Sequence, residues 1–280
     1  MSIVVENLCF TYKKNTPLQI NALNNINIKI ESGELVGIIG HTGSGKTTLV
    51  QHFNGLLKPT SGRVLINGKD TTSKDIKYLR KSVGIIFQYP EHQLFEETVH
   101  KDVSFGLVKQ GLSKAEIDEK VSHALITVGL PLDIIDKSPF ELSGGQKRRV
   151  AIAGVIAMEP DILVMDEPTA GLDPAGRDEL YDYITRLHKE SGKTLIIVSH
   201  NMEDVARLVN RVIVIGNGEV VLDDSPAEVF KKTDLLESIG LSAPQITYFM
   251  KILKKNIPQL RDDIYTVNDA VKEIMDLMKQ

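Results

Sequence analysis

Apolar and polar positions alternate through the opening segment of the chain, with Val5, Leu8 and Phe10 in one run and Ile26, Ile28 and Ile30 in the next. A period of two puts one face of a strand on a core and the other in water, so antiparallel strands are expected here. The pattern then turns continuous. Leu35-Val36-Gly37-Ile38-Ile39 contains no polar position, as in a strand buried on both faces. From Lys46 to about Leu56 the spacing becomes helical, with Leu49, Val50 and Phe53 on one face. Lys58-Pro59-Thr60-Ser61-Gly62 reads as a turn, Val64-Leu65-Ile66-Asn67-Gly68 as a strand running into a turn, and Val83 to Phe87 as another buried strand.

Between about Thr98 and Met158 the pattern is helical. Ser113-Lys114-Ala115-Glu116 is a capping box, and Ile117, Val121, Ala124, Leu125 and Val128 then mark one apolar face. From Asp161 onward strands and helices alternate: Ile162 to Met165, a helix around Gly176 to Ser191, Leu195 to Val198, a helix from Asn201, and Val212 to Ile215. That alternation predicts a mainly parallel sheet with helices on both faces, hence an α/β core interrupted by a helical insert. After Ser225 the chain is helical again, opening on Ser225-Pro226-Ala227-Glu228, a capping box with Pro at the first helical position. Ile246, Phe249, Met250 and Leu253 form one stripe; Val271, Ile274, Met275 and Met278 form a second. Packing onto the chain's own core is the expected use of these stripes, and a dimerisation or partner surface is the alternative. There are no repeats and no low-complexity segments.

Composition narrows the classes. The chain has 280 residues, 42% of them hydrophobic, enough for one sizeable core with an appendage. The net charge of −4 gives no basic field for nucleic acid, which is not expected as a partner. The single cysteine, Cys9, cannot form an intrachain disulfide, so a reducing compartment is the simple reading. The apolar runs fall well short of the ~20 residues of a spanning helix, and Met1-Ser2-Ile3-Val4-Val5-Glu6 has no signal-peptide character. The chain is expected to be soluble by itself, with any membrane role exercised through a partner.

Candidate chemistry begins at Gly40-His41-Thr42-Gly43-Ser44-Gly45-Lys46-Thr47-Thr48, which fits the phosphate-binding pattern G-x-x-x-x-G-K-[ST] between a strand and a helix. Its glycines let backbone N–H groups approach phosphate oxygens, Lys46 adds a point charge, Thr47 offers a hydroxyl to Mg²⁺, and the helix N-terminus faces the anion. Ile162-Leu163-Val164-Met165 ends in Asp166 and Glu167. A buried parallel strand delivers such carboxylates at its C-terminal edge. Asp166 is placed to hold Mg²⁺, and Glu167 to act as base or orienter for an attacking water, since a carboxylate neutralised by a metal is a poor base. In Leu142-Ser143-Gly144-Gly145-Gln146 a serine N-cap, a glutamine three residues on and two intervening glycines make an anion-binding helix start. Lys147, Arg148 and Arg149 follow in its first turns.

Together these segments resemble the ATP-binding cassette (ABC) family, over about residues 1 to 235. The resemblance implies a P-loop NTPase fold with a RecA-like core, an antiparallel β subdomain and a helical insert subdomain at about 96–158, with 236–280 as a C-terminal helical extension. It also implies ATP as substrate, Mg²⁺ as cofactor, and two chains closing on each nucleotide. Leu142 to Gln146 is then the signature segment, which binds the γ-phosphate of ATP held by the opposite subunit. Gln88 resembles the Q-loop glutamine, which touches metal and lytic water. Gly171-Leu172-Asp173 resembles the D-loop, with Asp173 at the dimer interface; His200 resembles the switch histidine. Tyr12 matches the aromatic that stacks on adenine, with Phe10 close by.

Pro90-Glu91-His92-Gln93-Leu94-Phe95, Glu96-Glu97-Thr98-Val99 and Asp102-Val103-Ser104-Phe105-Gly106 look like the ATPases of energy-coupling factor (ECF) importers. Leu107 departs from that group, which often carries Pro soon after the Phe-Gly pair. This resemblance implies a peripheral ATPase on the cytoplasmic face of the cell membrane, working as a homo- or heterodimer. Its partners would be an integral membrane coupling subunit and a substrate-binding membrane subunit, taking up a vitamin or a transition-metal ion such as cobalt or nickel. Leu94 and Phe95 are the expected apolar anchors for a membrane-subunit helix, or the floor beneath it. The rival readings are the ATPase of a conventional importer, a soluble non-transport ABC ATPase, and a module that binds ATP without turnover.

Overall fold

The computed structural model describes residues 2–73, 79 and 81–279. Met1 and Gln280, the outermost residues of the expected domain limits, lie outside the described residues. The chain opens with β1 (Ile3–Tyr12), β2 (Ile20–Ile30), β3 (Leu35–Ile39), α1 (Lys46–Phe53), β4 (Ser61–Ile66), β5 (Lys69–Asp70) and β6 (Val83–Ile86). Next come α2 (Val99–Val108), α3 (Lys114–Thr127), α4 (Gly144–Ile156) and β7 (Ile162–Asp166). They are followed by α5 (Pro174–Ser191), β8 (Thr194–Ser199), α6 (Met202–Leu208), β9 (Arg211–Gly216) and β10 (Glu219–Asp224). Four helices close the chain: α7 (Pro226–Lys231), α8 (Thr233–Ser238), α9 (Gln245–Asn256) and α10 (Val267–Met278).

Two sheets carry the fold. One is antiparallel, in the order β2-β1-β4-β5; the other has the order β10-β9-β3-β8-β7-β6, parallel except for β10. The step from Val5 to Leu8 breaks the period of two, and a register shift accommodates it beside Asn7, whose φ of 47° marks the irregularity. The parallel strands sort their uninterrupted apolar runs by alternation. Val36, Ile38, Val164, Ile196 and Val198 face the antiparallel sheet and the α1 residues Leu49, Val50 and Phe53. Leu35, Ile39, Leu163, Met165, Leu195 and Ile197 face Ile184 of α5, Val205 of α6 and Phe230 of α7.

The insert α2–α4 has its own core, built on Val103, Leu107, Val121, Leu125, Val150 and Ala153. Leu107, at the position that departs from the ECF pattern, is fully buried there. α1 stops at Phe53, short of Leu56, because Gly55 turns the chain at φ 71°. The box expected at Ser225 is only half made. The Ser225 hydroxyl accepts from Glu228 N–H, but the Ser225 N–H donates to Asp224 Oδ1 at 2.8 Å instead of to Glu228. The C-terminal stripes divide. Met250 is buried with Leu260, Ile264 and Ala270 in a separate small core flanked by Ile246, Leu253 and Ile274, whereas Phe249, Val271, Met275 and Met278 are exposed. No helix among the described residues is long and apolar enough to cross a membrane.

Candidate nucleotide site

Parallel registry gathers the candidate residues at one edge. Ile39 lies beside Ser199 and Val214, Asp166 beside Val198, and Met165 beside Ile86. The chain therefore leaves the sheet at neighbouring points: into the glycine-rich loop after β3, at Gln88 after β6, at Glu167 after β7 and at His200 after β8. Ligands bind at this edge of open α/β sheets.

The loop from Gly40 to Thr47 is tightly built. A Cβ at Gly40 would lie 2.3 Å from the Ile215 carbonyl oxygen, and one at Gly45, whose φ is 104°, 2.6 Å from that of Ala22. No other residue type fits either place. Lys46 Nζ donates to the carbonyls of Gly40 at 2.6 Å and His41 at 3.1 Å, so the cation spans the loop. Burial lowers the Lys46 pKa, while the Glu167 and Asp166 carboxylates pull it back up. Ser44 Oγ is buried with no hydrogen-bond partner among the described residues. An orphaned buried hydroxyl beside the Lys46 ammonium's loop suits an anionic ligand. His41 Nδ1 lies 2.8 Å from the carbonyl of exposed Thr42.

Thr47 Oγ1 donates to Asp166 Oδ2 at 2.8 Å. Burial raises the Asp166 pKa, and the Thr47 hydrogen bond offsets part of the rise. A hydroxyl and a carboxylate this close, beside a phosphate cradle, form a donor set that fits Mg²⁺, which takes few protein oxygens plus phosphate. Glu167 points elsewhere. Its Oε1 lies 2.7 Å from His200 Nδ1 and its N–H donates to the Val198 carbonyl at 2.8 Å. Its φ of 52° is left-handed, which costs a non-glycine residue about 1–3 kcal/mol and concentrates at functional sites.

Gln88 is exposed in a bend two residues beyond Ile86. Tyr12 and Phe10 are separated by packing: Phe10 is half-buried, edge-on to His52 at 4.9 Å, while Tyr12 keeps an exposed ring edge-on to Phe10 at 4.7 Å. The Tyr12 hydroxyl lies 3.1 Å from Thr48 Oγ1, next to the phosphate loop.

The Ser143 helix start has a complete capping box. Ser143 Oγ accepts from Gln146 N–H at 3.3 Å, and Gln146 Oε1 accepts from Ser143 N–H at 3.1 Å. A Cβ at Gly144 or Gly145 would meet nothing within 4 Å, so this end is open, while the preceding Leu142 is buried in the insert core. Among the described residues no hydrogen bond joins it to the phosphate loop. Asp173 caps α5, accepting from Gly176 N–H at 2.9 Å.

One expectation is corrected here. The basic residues after Gln146 do not all add to an anion site. Lys147 lies over the Phe140 ring and Arg149 near Glu179, but Arg148 is buried and donates to the backbone carbonyls of Ala170, at 2.8 Å, and Pro168. Consecutive helical residues point about 100° apart, so a basic run cannot share one face. Leu94 and Phe95 also part: Leu94 packs on the insert core, whereas Phe95 is 59% exposed and edge-on to Phe105. A further cluster had no signature in the sequence. Asp204, buried, accepts from the hydroxyls of Thr169 and Tyr181, binding the segment after Glu167 to α5 and α6.

Comparison with known proteins identifies the family. The profile of the ABC transporter family matches residues 23–170. The energy-coupling factor transporter ATP-binding protein EcfA2 of Acetivibrio thermocellus is 61% identical over 98% of this chain and 98% of its own length. Its counterpart in Clostridium tetani is 54% identical, over 98% and 96%. Among solved structures, cbiO1 from Clostridium perfringens, part of the ABC transporter complex cbiONQ, superposes with a TM-score of 0.74 at 43% identity, covering 89% of this chain and 98% of that one. The cassette MJ0796, in a dimeric post-hydrolysis state bound to ADP and Pi, gives 0.71 at 32% identity, over 80% and 98%. The chain belongs to the ABC transporter family and is an ATPase of the energy-coupling factor type.

Proposed function

We propose that this ATPase works as a dimer that powers uptake of a vitamin or a transition-metal ion through membrane subunits, from the cytoplasmic face of the membrane. The observation that carries the dimer is the separation of two anion-binding helix starts. The phosphate loop is closed by its own chain, whereas the Ser143 start is capped, open and unattached to it. The dimeric MJ0796 cassette supports the same assembly. The relatives' names support the transport role.

Within that dimer, residues Gly40 to Thr48 bind the phosphates of ATP and Tyr12 lies against its base. Lys46 exchanges its two loop carbonyls for phosphate oxygens, a better partner for a buried ammonium. Thr47, Asp166 and Gln88 would hold Mg²⁺, which when bound would screen the charge on the phosphates. Glu167 orients the attacking water and accepts its proton, since it takes no part in the Thr47–Asp166 contact and lies against His200. Ser143, Gly144, Gly145 and Gln146 of the facing subunit complete the γ-phosphate site, and Asp173 crosses beside them. Residues 1–235 form the cassette, 96–158 its helical subdomain and 236–280 an extension. The groove flanked by Leu94, Pro139, Phe140 and Lys147, with exposed Phe95 beside it, receives a helix of the membrane subunit.

Glu167→Gln tests the core of this reading. The variant should bind ATP with unchanged affinity, lose about 10²-fold or more of its turnover, and sediment as a dimer with Mg-ATP but not without it. Full hydrolysis by a strictly monomeric preparation would sink the dimer; near wild-type turnover would mean that another group moves the proton.

A further inference from the structure

The signature helix and the segment after Glu167 serve different nucleotides in the dimer proposed above. The first faces the partner's ATP; the second starts from Glu167, which acts on the chain's own. One buried side chain joins them. Arg148, on α4, is 6% exposed and sends its two terminal nitrogens to the carbonyls of Ala170 and Pro168. Both acceptors are backbone, so the fork fixes the path of the chain rather than a side chain. Pro168 directly follows Glu167, the residue held at φ 52°. The third donor of Arg148, Nε, is buried with no partner among the described residues, and so is Glu91 Oε2 in the short helix after Gln88. Burial lowers the Arg148 pKa, and the Glu91 charge offsets part of that fall. The Tyr89 ring borders the same place, 4.0 Å from where a Gly171 Cβ would stand.

We propose that Arg148 is a positioning residue that ties Glu167 and the following loop to the signature helix, so that engagement of ATP on one side of the dimer sets the hydrolytic groups on the other. The planar fork suits this task, since it reaches two carbonyls at once where an ammonium is a single point charge. A merely space-filling arginine would make the same contacts without linking the sites. The two roles differ in what they do to turnover and to cooperativity.

The test compares wild type with Arg148→Ala and Arg148→Lys in the full chain, measuring nucleotide affinity, kcat, KM and the Hill coefficient for ATP. Linkage predicts ATP affinity within about twofold of wild type, because the phosphate loop is untouched, and kcat lowered about tenfold or more. The Hill coefficient should fall from about 1.5–2 in wild type towards 1. Arg148→Lys should recover part of kcat through one carbonyl bond. If Glu91 acts through Arg148, the double variant Glu91→Gln with Arg148→Ala is no slower than Arg148→Ala alone. A wild-type kcat in Arg148→Ala overturns the proposal, as does a lowered kcat with unchanged cooperativity and a melting temperature reduced in proportion. If Arg148→Ala cannot be purified, Arg148→Gln is read the same way, and wild-type kcat and cooperativity in it are equally fatal. Sedimentation of Glu167→Gln with Arg148→Ala keeps the two readings apart: an Mg-ATP dimer is expected there, and its absence in Glu167→Gln alone condemns the dimer rather than the role of Arg148.

Discussion

The phosphate loop and the signature helix start use the same backbone device, glycines ahead of a helix N-terminus, yet they stand in opposite surroundings. At Gly40 and Gly45 an added Cβ would strike backbone oxygens of the chain's own strands; at Gly144 and Gly145 it would meet nothing within 4 Å. The first device is shaped by the sheet beneath it and is complete in one chain. The second is held at its base by a capping box and by buried Leu142, and its glycines stand open. Packing thus closes one device within the chain and leaves the other open to the second subunit of the dimer proposed above.

Breaking each device in a different chain sharpens that contrast most. Lys46→Ala should remove ATP binding, and Gly145→Asp should put a charge towards the facing phosphate without disturbing its own fold. Each alone should lower turnover by about 10²-fold or more. Mixing the two chains leaves at most one intact interface in each mixed dimer, so part of the activity should return. Steady-state hydrolysis across mixing ratios reads this out; no recovery at any ratio would argue that both devices act within one chain.

The same contrast recurs at a smaller scale in Leu94 and Phe95. Leu94→Ala removes packed atoms from the insert core and should cost about 1–3 kcal/mol, seen as a lower melting temperature. Phe95→Ser should leave melting and basal hydrolysis nearly unchanged and abolish copurification with the membrane subunit. A Phe95→Ser protein that assembles and transports normally removes Phe95 from the docking surface.

The smallest effect concerns the packed half itself. Burial raises the Asp166 pKa above its unfolded value near 3.8. The native state therefore binds the extra proton between those two values, and stability is lost as pH rises through the folded pKa. At neutral pH the ionised Asp166 is a stability cost carried for function. Asp166→Asn should raise the melting temperature of the nucleotide-free protein at pH 7–8, less so near pH 4, while abolishing hydrolysis. Calorimetry at the two pH values checks the sign; a destabilised variant at pH 8 would mean that the Thr47 bond outweighs desolvation.

Much of this architecture is legible from the chain, for identifiable reasons. The run Leu35 to Ile39 is a strand with the expected bounds because five consecutive apolar residues before glycines leave little else to form. Ser113 and Ser143 announce their helices because a capping box is a local bond between residues three apart. The motifs at Gly40 to Thr47 and at Asp166-Glu167 are contiguous, and a parallel sheet brings contiguous strand ends to one edge whatever surrounds them.

Other features were decided in three dimensions. Periodicity names an apolar face but not what covers it, so the stripes on α9 and α10 divide into a buried Met250 and exposed Phe249, Val271, Met275 and Met278. Composition makes Lys147, Arg148 and Arg149 equivalent; the insert's position over the loop after Glu167 turns Arg148 inward to two carbonyls. Tyr12 and Phe10 alternate identically along β1, and only His52 on α1 settles which ring is packed and which stays open. Sequence by itself determined the elements and the local chemistry, because those rest on bonds between near neighbours. Tertiary structure decided direction, burial and partnership, because those depend on which distant surface arrives and on the low dielectric it brings.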